Sequence, residues 1–233
     1  MSLIVSLVTA AALALVLRRP LSTVSASCYV AAALLGAAGT YFTLNPQPFP
    51  AMRAGVSVIQ RGQLGFGLFA VVMFVGAFGK DSAVYGRLAP VRAELSIVAS
   101  ILTIGHFALY LGNYLRLLQG LLGLPPSVVS SLAVALVLLV LLTVLSVTSL
   151  RVVKKHMGAV GWKRLQRLAY PFFALIWLHL LGFLAVPASH GSMPALLDLC
   201  TYTLVFLAYA ALRIRQALIA REARMPHTGR VGS

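Results

Sequence analysis

ILTIGHFALYLGNYL, residues 101–115, and RLAYPFFALIWLHLLGFL, residues 167–184, are each apolar enough to lie in a bilayer, and each carries one histidine, His106 and His179. An ionisable side chain inside lipid is costly and reads as functional unless an ordinary partner can be named. Two imidazoles facing each other across a helical bundle are the axial ligand pair of a b-type heme. The plainer account is two unrelated histidines, each hydrogen-bonded to a main-chain carbonyl or a hydroxyl.

Composition supports the membrane reading. Of 233 residues, 60% are hydrophobic and 10% are charged, which excludes an ordinary soluble domain. The candidate loops are short, so no separate nucleotide-binding or catalytic domain is expected. Cys28 and Cys200 lie in apolar stretches and form no CxxC or CxxCH, which argues against c-type heme and iron–sulfur ligation. The N-terminus has no basic segment ahead of its apolar run, so no cleaved signal peptide is expected.

Seven apolar runs are long enough, or nearly so, to span: 2–17, 22–43, 58–79, 92–118, 127–149, 163–186 and 193–218. The first is the shortest. Between them stand Arg18-Arg19-Pro20, the Pro-rich stretch 45–50, Gly79-Lys80-Asp81, Pro125-Pro126, and the segment from Pro187 to Pro194. The expected fold is therefore all-α, a polytopic bundle of seven transmembrane helices.

The net charge of +15 reflects orientation in a membrane rather than nucleic-acid binding. With the N-terminus outside, the inner segments hold Arg18, Arg19, Lys80, Arg87, Arg92, the basic loop from Arg151 to Arg167, and the arginines from Arg213 onward. The outer segments hold only Arg53, Arg61 and Arg116. This asymmetry favours N-outside, C-inside. In that frame His106 lies 14 residues beyond Arg92, a rise of about 21 Å, and His179 lies 16 beyond Lys163, about 24 Å. Both imidazoles then fall in the outer half of the membrane, within about one helical turn of each other in height. Gly105, Gly112 and Gly182 near them suit close approach of a flat macrocycle, or ordinary small-residue helix packing. His156, His190 and His227 lie in loops or the tail and read as solvent-facing.

The segment SVTSLRVVKKHMGAVGWKRLQRLAYPFFALIWLHLLGFL, residues 146–184, resembles the ferric-reductase-like transmembrane superfamily. Within it the chain looks most like the MsrQ/YedZ heme-binding membrane subunit of the bacterial methionine sulfoxide reductase system. "LTVLSVTS" closes one helix before a basic loop, "GWKRLQRLAY" opens the next, and "LHLLGFL" places a histidine 13 positions after Gln166. VRAELSIVASILTIGHFALYL, residues 91–111, resembles the family's other ligand helix. The resemblance covers roughly residues 58–190. It implies a six-helix heme-binding core over 22–218, an extra N-terminal helix at 1–21 and a basic cytoplasmic tail at 219–233. It also implies His106 and His179 as heme-iron ligands. Where the family commonly has a further histidine this chain has Gln166, and the partner level carries Arg92, so one heme b is expected rather than two.

The expected function is a b-type cytochrome of the bacterial cytoplasmic membrane. It would carry electrons through one bis-histidine heme to an external redox partner, either a periplasmic or extracellular protein or a larger electron-transfer complex. The resemblance suggests a molybdenum-cofactor methionine sulfoxide reductase as that partner. Arg61 is the candidate partner for heme propionates. The inner residues Arg92, Glu94, Gln166 and Arg167 are a candidate quinone or flavin site, fed by quinol or a cytoplasmic flavin reductase; the plainer account pairs Arg92 with Glu94 at the helix start. Trp162, Lys163 and Arg164 read as an interfacial belt and the tail arginines as lipid-facing. Two other classes remain: a self-contained ferric or cupric reductase, and a non-redox transporter or scaffold, against which the lack of a clear internal repeat counts.

Overall fold

The computed structural model describes residues 3–45, 49–119 and 126–222, apart from the side chains of 50–54 and 112–119. The side chains of Arg53, Gly112 and Arg116, and residues Pro125, Arg224, His227 and Arg230, lie outside the described residues. The described chain is helical: α1 Leu3–Thr23, α2 Ser25–Leu44, α3 Pro50–Gln60, α4 Gln63–Ala77, α5 Ala83–Leu88, α6 Arg92–Gln119, α7 Pro126–Ser149, α8 Arg151–His156, α9 Ala159–Gln166, α10 Ala169–Ser189 and α11 Met193–Glu222. No strand occurs among the described residues. Six helical segments are long and apolar enough to cross a membrane: α1, α2, α5 running into α6, α7, α9 running into α10, and α11. This is the architecture of an integral membrane protein.

Three runs take a form that hydropathy alone does not indicate. The first reaches past Pro20 to Thr23. Proline has a helical φ and forfeits only its own N–H bond, so near a helix end the last turn still closes, with Val24 N donating to Pro20 O at 2.7 Å. The third run divides. Gly62 adopts φ +67°, a left-handed conformation that ends α3 and restarts the chain as α4. The restarted helix has 15 apolar-rich residues and is shorter than the other six. The sixth run also breaks, between Gln166 and Ala169, so its basic amphipathic start is the separate helix α9.

The short helix α4 is the centre of the bundle. It packs against α1, α6 and α11, while α2 lies on α6, and α7, α10 and α11 follow one another around the side. Most α4 side chains are buried, whereas α7 buries only Ser131, Leu142, Thr148 and Ser149. Lipid tails are as apolar as leucine, so this arrangement rests on close packing rather than on hydrophobic transfer. The main cluster joins Ala10, Ala14 and Leu21 of α1, Leu68 and Val75 of α4, Leu95, Val98 and Leu102 of α6, Leu142 of α7 and Phe172 of α10. The first helix is thus packed into the core. A second cluster stacks Phe66 on Phe173, with Tyr202 against the same ring at 4.8 Å.

Candidate functional site

His106 and His179 stand above the same core cluster. Leu102, one turn before His106, and Phe172 and Ile176, on the face of α10 that carries His179, all belong to it. Both histidines are half-buried, and the two imidazoles lie within electrostatic range of each other.

Each ring is anchored in the same way. His106 Nδ1 is 2.5 Å from the carbonyl oxygen of Gln60, and His179 Nδ1 is 3.0 Å from that of Ser131. A carbonyl only accepts, so each Nδ1 carries the proton and donates it. In the neutral ring this leaves the lone pair on Nε2, which has no hydrogen-bond partner among the described residues. The Gln60 carbonyl is free for this because α3 ends there and it has lost its intrahelical donor. The plainer account of a membrane histidine, a bond to a main-chain carbonyl, is thus realised at Nδ1 of both rings. It is also the outer-shell contact that orients a metal-bound imidazole and raises its basicity.

Glycines bring the anchors within reach. A Cβ on Gly62 would stand 3.2 Å from His106 Cγ, so this position needs glycine both for its positive φ and for the imidazole beside it. A Cβ on Gly182 would fall 1.6 Å from Ser131 Oγ. The absence of one lets α10 close on α7 where His179 meets the Ser131 carbonyl. Gly105 instead faces Gly36 of α2, whose Cα would be 3.4 Å from an added Cβ. Gly62, Gly105 and Gly182 thus serve helix packing and ring placement, the small-residue packing that the sequence also allowed.

Arg61 follows α3 at the same end and lies within electrostatic range of Tyr202. Beneath it runs a buried polar chain that the residue pattern did not reveal. Ser6 Oγ donates to Gln63 Oε1 at 3.2 Å, and Gln63 lies close to the Tyr202 side chain. Ser6, Gln63 and Tyr202 are all buried. The available signal was Gln63, a lone amide following a glycine at the start of an apolar run.

Arg92, Glu94 and Gln166 each have a different neighbour. Residues 92 and 94 project about 200° apart on a helix, so they cannot share a partner. Arg92 faces Gly76 of α4. Glu94 faces the other way and pairs with Arg151, whose Nε and Nη2 both reach Oε1, at 3.0 and 2.7 Å. That contact raises the Arg151 pKa. The expected Arg92–Glu94 pair is therefore replaced by Arg151–Glu94. Gln166 donates to Thr148 Oγ1 at 3.1 Å, tying α9 to the end of α7, and Arg167 is exposed. Trp162 is held in place, its Nε1 donating to the Thr148 carbonyl at 3.0 Å with Lys154 over its ring. His156 and His190 are exposed, as expected.

No family model and no solved structure matches the chain. An uncharacterized protein of Treponema pallidum (strain Nichols) is 38% identical over 156 residues, which are 66% of this chain and 43% of that protein. The chain spans less than half the length of this relative.

Proposed function

We propose that this chain is a membrane b-type cytochrome of the ferric-reductase-like kind, with one heme bound between His106 and His179. One observation carries the reading: two half-buried histidines on helices that share a core cluster, each with Nδ1–H given to a main-chain carbonyl and Nε2 left with its lone pair. Two neutral, pre-oriented imidazoles are a donor set that fits low-spin heme iron. When bound, heme supplies a one-electron Fe(III)/Fe(II) couple.

The chain's own residues supply the rest. The Gln60 and Ser131 carbonyls fix the tautomer and raise the basicity of the ligating nitrogens. The apolar cluster beneath the rings, including Leu102 and Phe172, keeps water from the site on its inner side. Arg61 at the rim is the candidate for pairing with propionates. In this reading α4 completes seven spans, with the N-terminus outside and the C-terminus inside, in a bacterial cytoplasmic membrane. The heme then lies nearer the outer surface, and a periplasmic or extracellular redox protein takes the electron. The donor is quinol or a cytoplasmic flavin reductase. The heme reading needs no second cofactor and gives Arg92 and Gln166 no role in it.

The test is an absorption spectrum of the purified protein, oxidised and dithionite-reduced. A reduced Soret band with sharp α and β bands, at one heme per chain by pyridine hemochrome assay, is expected. A colourless, folded preparation after expression with ample heme overturns the reading in favour of a transporter or scaffold. Turnover of ferric or cupric ions by the isolated protein would make it a self-contained metal reductase.

A further inference from the structure

The inner end of α4 holds an arrangement the cytochrome reading does not use. Arg92, at the start of α6, lies against Gly76, where an added Cβ would be 3.0 Å from both of its Nη atoms. Arg213 of α11 converges on the same point, its Nη1 donating to the Gly76 carbonyl at 2.8 Å and its Nη2 donating to the Tyr170 hydroxyl. Tyr85 and Tyr209 also lie near the Arg92 guanidinium.

Two permanent cations thus meet in a half-buried position without a carboxylate. Glu94 is taken by Arg151, which is the one ion pair among the described residues. The Arg92 guanidinium makes no hydrogen bond among the described residues, although it has five N–H donors. Capping of the α4 C-terminus accounts for part of the arrangement, but a helix end offers only about half a negative charge against two full positive ones. Tyrosines are neutral near pH 7 and contribute hydroxyls without charge. What remains is an excess of positive charge and a fork of unused donors beside phenolic hydroxyls, which is the chemistry that recognises a phosphate.

We infer that Arg92 and Arg213, with the hydroxyl of Tyr170 beside them, form a binding site for one phosphate group between the inner ends of α4, α6 and α11. The group is a phosphate ester from a lipid headgroup or a free phosphate. The site lies about 21 Å along α6 from His106 and stands whether or not heme binds there.

The experiment uses the full chain in maltoside micelles, which carry no phosphate. Phosphatidylglycerol or inorganic phosphate is added, and binding is read by native mass spectrometry and thermal shift. One molecule bound per chain is expected. R92Q and R213Q should each weaken it about tenfold or more, the loss expected for charge-assisted hydrogen bonds. R215Q, an exposed arginine on the same helix, should leave binding unchanged. Binding of phosphatidylglycerol alone identifies a headgroup as the source, and binding of inorganic phosphate identifies a soluble one. Binding of neither, or equal weakening by R215Q, overturns the proposal. Should R92Q not fold, R213Q carries the same expectation. The absorption spectrum should be the same in R92Q as in the parent chain, so failure here and failure of the cytochrome reading are separable.

Discussion

The two ends of α6 handle an ionisable side chain in opposite ways. His106, toward one end, is a neutral ring whose single donor meets one carbonyl, leaving a lone pair. Arg92, about 21 Å away on the same helix, is a permanent cation whose guanidinium makes no hydrogen bond among the described residues. Low dielectric explains why each end suits a different ligand. A lone pair among apolar groups favours an electrophile such as a metal ion, and an unpaired guanidinium favours an anion. Between the two ends, the bundle is closed by packed aromatics, with Phe66, Phe173 and Tyr202 buried in one cluster.

Separating the ends experimentally begins with the largest effect. His106→Ala and His179→Ala should each abolish a low-spin heme spectrum, whereas His156→Ala, at an exposed ring ending α8, should leave it intact. Equal loss from all three would mean that the His106 end is not special. The middle comes next. Phe173 is 1% exposed, so Phe173→Ala should cost about 3 kcal/mol or more in thermal unfolding, as full truncation of a buried aromatic does. Leu136→Ala, on the open side of α7, should cost far less, and parity between the two would refute a core centred on α4.

Gly182→Ala probes the link between packing and ligand. Its Cβ would overlap Ser131 Oγ, so α10 must retreat from α7, at about 1–3 kcal/mol. The heme bands should shift as the Ser131 carbonyl leaves His179. Gly161→Ala has open space around it and should change neither readout. The smallest contrast lies at the Arg92 end. Arg151→Gln strands a carboxylate that is 7% exposed, whereas Glu94→Gln frees an arginine that is 64% exposed. The first should therefore lower the thermal midpoint more than the second. The reverse order would refute the burial of Glu94 as the feature that makes this pair matter.

The readable part of this protein was its class and its two histidines. A run such as 127–149 without one charged residue admits few environments besides lipid. His106 and His179 stood out because ionisable groups are rare there. The helices at the centre were less legible. The apolar helices α4 and α7 look alike in sequence, yet one is enclosed and the other faces outward. Side-chain periodicity cannot separate them, because lipid and protein interior are equally apolar. The partner of Glu94 was also out of reach, since Arg151 comes from 57 residues away.

Composition and spacing by themselves determined a helical membrane bundle and singled out two imidazoles in it, because hydrocarbon tolerates no unsatisfied backbone and penalises every ionisable group. Tertiary structure alone decided which helix became the centre, which carbonyls hold the two rings, and that Arg92 and Glu94 turn away from each other. Those outcomes depend on side-chain direction and on how closely helices approach at glycine, and neither is encoded in the hydropathy of a single segment.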